Sequence, residues 1–118
     1  MYLTSANAIA ETGEIVNIDG SGNRIAATLY DRERVVFVAG VNKLAPDLDS
    51  AMYRARNVAA PLNARRLNRN TPCAKAKVMK CYDCVVKDRL CRGIATIVWP
   101  MRSVKVTEVV LVGEELGY

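Results

Sequence analysis

Histidine is absent from the 118 residues of this chain. That excludes a Ser-His-Asp triad, imidazole acid–base catalysis and a histidine metal ligand within it. Long apolar runs are missing too: no stretch approaches the roughly eighteen apolar residues of a membrane-spanning helix. The opening "MYLTSANAIAETGEIVNIDG" lacks the basic start and apolar run of a secretory signal. A soluble, cytoplasmic protein is expected, with no membrane span. Aromatics are few, with one Trp and one Phe beside five Tyr. Only Tyr82 lies inside the basic segment, and no helix-turn-helix or finger pattern is legible. Nucleic acid is therefore disfavoured as a partner.

Acidic residues are scarce in one part of the chain. From Arg54 to Arg92 there are eleven Lys and Arg against two Asp, while the remainder holds six basic and ten acidic residues. A segment of +9 thus adjoins a remainder of −4. Such a surface attracts small anionic metabolites, phosphorylated ligands or an acidic partner, and the plain alternative is a solvated basic face.

What is present suffices for one domain over residues 1–118, with 51% hydrophobic residues and no internal repeat. "EIVNID" (Glu14–Asp19) reads as a strand, "DGSGN" as a turn, and "NRIAATLY" as a short helix burying Ile25, Ala26 and Leu29. "RVVFVAG" (Arg34–Gly40) is a continuous apolar run, the pattern of a strand covered on both faces in a parallel sheet. Pro46, Asp47 and Asp49 suit the opening of a helix whose stripe is Leu48, Met52, Ala55 and Ala59. Pro61 is expected to end or kink it, with a short helix restarting in "PLNARRLN". An irregular cysteine-rich insertion, residues 71–92, precedes two last strands, Ile94–Trp99 and Lys105–Gly113. The alternation predicts a layered α/β fold. The last strand has little after it to cover its second face. The chain is expected to be part of a larger domain, or to borrow surface from a partner.

Three sets of residues carry chemistry. Cys73, Cys81, Cys84 and Cys91 are spaced C-x7-C-x2-C-x6-C. A C-x2-C knuckle aims two sulfurs at one ion, and the outer pair completes four thiolate donors for zinc or an iron–sulfur cluster. Neither a second C-x2-C pair nor the ferredoxin spacing is present. A disulfide or exchangeable dithiol, and plain free thiols, remain open beside the metal reading. Lys75, Lys77, Lys80, Lys87, Arg89 and Arg92 are expected to favour thiolates, with Val78, Met79, Val85, Val86 and Leu90 burying the site. Second, Gly20, Ser21, Gly22 and Asn23 offer backbone N–H groups beside Arg24 for a phosphate or carboxylate, although the G-x-G-x-x-G spacing fails in "GSGNRIA". A tight turn is the plain alternative. Third, Asn57, Asn63, Arg65, Arg66, Asn68, Arg69 and Asn70 form an amide and guanidinium set suited to a carboxylate or phosphate. Their plain alternative is loop stitching.

"TSANAIAETGEIVNIDGSGNRIAA", "AGVNKLAPDLDSAMYRARNVAAPLNARRLN" and "VVLVGEELGY", in that order, resemble the lactate-utilisation (LUD) domain family. Some members resemble the chain further in a "TPC…C…DC…C" insertion. The resemblance implies a Rossmann-like layered sheet with flanking helices, related to the sugar-phosphate isomerase and CoA-transferase superfamily. It implies that the usual helical N-terminal part is absent, and it alone adds Asn7 of "TSANA" to the amide and guanidinium set. It also implies a component of an iron–sulfur-linked oxidoreductase system for lactate or a related small 2-hydroxy acid, working as a homo-oligomer or with iron–sulfur partner subunits. No residue here accepts a hydride, so a redox step needs a cofactor, and whether the chain alone is an enzyme stays open. The alternatives are a non-redox phosphate-, carboxylate- or CoA-type binding domain, and an interaction module with a zinc-stapled basic loop.

Overall fold

The computed structural model describes residues 1–118. It is α/β, as the alternation predicts. Its strands are β1 (Tyr2–Thr4), β2 (Ala8–Ala10), β3 (Ile15–Asp19), β4 (Arg32–Gly40), β5 (Leu44–Ala45), β6 (Gly93–Ile97) and β7 (Val104–Val112). The helices are α1 (Asn23–Leu29), α2 (Leu48–Arg54), α3 (Ala60–Arg66) and the single turn α4 (Pro72–Lys75). β1, β2 and β5 are two or three residues long, too short for period-two alternation to reveal them.

The strands form two sheets. One is parallel, in the order β1-β4-β7. The other is mixed, in the order β5-β2-β3-β6, with β3 antiparallel to both its neighbours. All of β3 is buried, and its pleat sends alternate side chains to two cores. Ile15 joins Ile9, Val35, Phe37, Ala39 and Ile97 between the sheets. Val16 and Ile18 join Ala8, Ala10, Ala51, Ala55 and Ala60 beneath the helices. The mixed sheet is therefore the middle layer. β4 has the central place in the parallel sheet: Val35, Phe37 and Ala39 face the core between the sheets, while Val36, buried, and Val38, half-buried, lie on its other face and join neither core, against the expected cover on both faces.

The helix after β5 opens on Asp47, whose carboxylate accepts from the Ser50 N–H at 2.8 Å. Pro61 does not end it. Residues Ala55–Ala59 widen into a π turn, and the Ala60 N–H reaches back to the Ala55 carbonyl. The wider turn absorbs the N–H that Pro61 lacks, and α3 continues from it. The stripe is small: Ala51, Ala55 and Ala59 are buried, while Leu48 and Met52 pack at its edge. In α1, Thr28 is the buried residue; Ile25 and Leu29 are half-buried and Ala26 is exposed, against the expected face.

α3 ends with Asn68 at φ 54°. The Asn68 N–H bonds the Arg65 carbonyl and the Arg69 N–H bonds the Ala64 carbonyl, the paired bonds of a left-handed helix stop. This turns Arg69 and Asn70 toward the cysteine segment, where both donate to the Asp88 carboxylate.

β7 is different in kind. It pairs only with β4 and leaves an open edge, with Val106, Val109, Val110 and Leu111 exposed. No helix is long and apolar enough to cross a membrane.

Candidate functional site

Two hollows lie side by side where the cysteine segment meets α3 and the turn after β3. The first is a narrow cavity of about 20 Å³, room for roughly one water. Its walls include Cys73, Cys81, Cys84 and Cys91, so the fold brings together four thiols spread over nineteen residues. All four are free.

The π turn and α3 hold this cavity in place. Asn57 accepts from the Cys81 N–H at 2.9 Å, and the Arg65 guanidinium donates to the Ala76 carbonyl at 3.0 Å. Asp83, at φ 46°, turns its N–H toward the Cys81 sulfur at 3.4 Å, which also receives Arg56 at 3.7 Å. The buried Thr71 hydroxyl and the Cys73 thiol are hydrogen-bonded at 3.4 Å. Arg89 ties the far side: it donates to the Cys91 and Cys84 carbonyls, each at 2.7 Å, and to Asp83 at 3.2 Å.

The expected surroundings of the thiols need correction. Lys75, Lys77, Lys80 and Lys87 are exposed and do not line the cavity; Arg56 and Arg89 are its cations. Val78, Val85 and Val86 are exposed as well, and of the five expected apolar residues only Leu90 reaches the wall. Burial pushes the Cys91 thiol up to about 11, with the other cysteines adding to the rise and Arg89 opposing it. At that position the basic segment fails to favour a thiolate, because an apolar wall and sulfur neighbours outweigh one guanidinium.

The donor set suits a thiophilic group such as zinc or an iron–sulfur cluster. The spacing does not: no three Cys, Asp or Glu side chains converge on a point that would hold an ion. A tetrahedral zinc needs sulfurs at about 2.3 Å from one centre, and a cluster needs more room than one water. Loading either requires the segment to spread. Beyond α4 it has no helix or strand before β6, so such a movement breaks no ladder.

The second hollow is an open cleft of about 660 Å³. Asn7, Gly20, Ser21, Asn23, Arg24, Asn63 and Arg66, all singled out in the sequence, line it. Gly22, at φ 81°, and Arg65 lie off its wall. The anion role of the glycine turn is partly taken already. The buried Asp19 carboxylate accepts from the Ile25 N–H at 2.7 Å and pairs with Arg24 at 2.8 Å. Asn7 is locked, accepting from the Ile18 N–H at 2.8 Å while its own N–H meets Asn17 at 3.1 Å.

Lys43 escaped the sequence reading. It follows β4 as a lone cation in an apolar stretch, only 8% exposed, and lines the cleft. Its ammonium donates to the Ser5 hydroxyl at 3.3 Å and has no carboxylate partner. Burial, then Arg54 and Arg24, hold its pKa below the ordinary 10.5. The tail closes the other side, with Gly117 and Tyr118 on the wall. It is held by Val41 N–H to the Glu114 carbonyl at 3.1 Å and Leu116 N–H to Asn42 at 3.0 Å. Arg89 and Leu90 line both hollows and form the partition between them.

The model of the LUD domain family matches residues 1–83, and the chain belongs to that family. No curated protein and no solved structure matches the chain. The matched residues carry the core beneath the helices, six of the eight buried residues of the core between the sheets, the glycine turn, Lys43, α3, Cys73 and Cys81; Ile97, Val104, Cys84, Arg89, Cys91 and the tail lie beyond them. Family membership suggests involvement in lactate utilisation.

Proposed function

We propose that the chain is a component of an iron–sulfur-linked oxidoreductase system for lactate or a related small 2-hydroxy acid. One observation carries the reading: four thiols from a single segment line one cavity, with two arginines beside them and an anion-attracting cleft across a shared partition. Cys73, Cys81, Cys84 and Cys91 are the residues that would hold the group. It would supply the electron transfer that no side chain here provides. The cleft's arginine forks would supply counter-charge to an anionic ligand of the same system. The open edge of β7 supports a further copy or a partner subunit as part of the same system.

The test is anaerobic production followed by metal and sulfide analysis. Bound iron with acid-labile sulfide, lost on Cys81→Ser plus Cys84→Ser, is expected. Stoichiometric zinc instead would convert the reading to a stapled interaction module. A reduced, anaerobic protein that takes up neither metal sinks both.

A further inference from the structure

The cleft carries more positive charge than a monocarboxylate can use. Six cationic side chains line it, Arg24, Lys43, Arg66, Arg69, Arg89 and Arg92, against one acidic side chain, Asp19. Three are already matched: Arg24 with Asp19, Arg69 with Asp88 and Arg89 with Asp83. The other three form no ion pair. Lys43 meets only the Ser5 hydroxyl, Arg66 donates to the Asn63 side chain at 2.8 and 3.1 Å, and Arg92 donates to the Arg89 and Lys87 carbonyls.

Lys43 is the most telling of them. A buried ammonium that meets only a hydroxyl, with no carboxylate partner, is costly unless an anion completes the site. The wall is polar, with few apolar groups, so the ligand is held by charge and hydrogen bonds rather than by burial of hydrocarbon. The cleft's 660 Å³ falls within the range of pockets that take ligands far larger than lactate. Guanidinium forks match phosphate oxygens in geometry as well as charge.

We propose that this cleft binds a small phosphorylated metabolite carrying at least two negative charges, with Lys43 at its floor and Arg66 and Arg92 at its rim as the phosphate-binding groups. The inference does not rest on the cysteines: a metal-free, reduced chain is expected to bind the ligand.

The experiment is calorimetric titration of the metal-free, reduced protein with inorganic pyrophosphate and with L-lactate, at one ionic strength. Pyrophosphate binding at least tenfold tighter than lactate is expected. Arg66→Gln combined with Arg92→Gln, both on exposed side chains, weakens it at least tenfold while the ligand-free melting temperature stays put. Lys43→Met weakens it comparably, and if that variant fails to fold the rim pair decides alone. Lactate binding as tightly as pyrophosphate overturns the proposal. So does pyrophosphate binding that ignores the rim pair, or a single-stranded oligonucleotide that displaces pyrophosphate, which would make the surface a nucleic-acid one. Metal uptake is not read in this experiment, so its failure and that of the oxidoreductase reading are separable.

Discussion

The two hollows share a partition and little else. The cysteine cavity is narrow, and burial there favours the neutral Cys91 thiol over its charged form. The cleft is wide and polar, and keeps three cations without acid partners. The difference shows that a basic sequence segment does not act as one field. Each basic residue counts by where its head group lands: the lysines around the cysteines point to solvent, while arginines from α3, from the loop after it and from the segment's end face the cleft. At short range, solvation decides which charges matter.

Breaking the partition has the largest expected effect. Arg89→Gln removes a guanidinium that bonds two carbonyls of the cysteine segment and one carboxylate. Charge-assisted bonds of this kind are worth about 1.5–3 kcal/mol each, and shared among one side chain the loss should be about 3 kcal/mol. Urea unfolding measures it. The four cysteines should then alkylate at similar rates, and pyrophosphate affinity should fall as well. An effect confined to one hollow would show that Arg89 is no true partition.

Next comes a change confined to the cleft. A Cβ on residue 40 would lie 2.5 Å from the Glu114 carbonyl oxygen and from the Leu116 nitrogen. Gly40→Ala therefore forces the tail away from the 40–43 turn, at about 1–3 kcal/mol. Hydrogen exchange should rise at Val41 and Leu116, whose amides the tail contacts protect. Cysteine alkylation should not change. If it does, the two hollows are coupled through more than Arg89.

The smallest effect is confined to the cavity. The Cys91 thiol ionises near 11 in the folded chain and at its ordinary 9.0 once unfolded. Between those values the unfolded state has lost the proton and the folded state has kept it. Stability of the reduced, metal-free protein should therefore fall as pH rises from 9 toward 11, and be unaffected by this group below that window. The urea midpoint as a function of pH reports it, and Cys91→Ala should flatten the slope. A midpoint that rises below pH 9 and stays flat from 9 to 11 would mean instead that Cys91 sits as a thiolate.

Much of the layered half was legible. β3, β4, α1 and α2 follow from apolar runs, turn glycines and an Asp cap, because those signals are local. β7 shows the limit. Its apolar run marks a strand, and the little that follows it predicts an uncovered face; that it pairs only with β4 and leaves an open edge depends on its neighbours and not on the strand itself. Pro61 shows another limit: proline chemistry predicts an end or a kink with a restart after it, and only the structure shows the π turn upstream through which the helix runs on. Most of the ligand-binding candidates line one cleft, whereas Lys43 went unseen. A single lysine after a strand carries no pattern; only its burial marks it out.

The sequence alone determined the α/β class, the absence of histidine chemistry, the four thiols and the excess of positive charge in one segment. These are matters of composition and short-range periodicity, readable without coordinates. The tertiary structure decided which charges face which hollow, that four cysteines line one cavity without converging on a point, and that a lysine is buried without a counter-ion. Those depend on contacts between residues far apart in the chain, and so on desolvation, which no local pattern records.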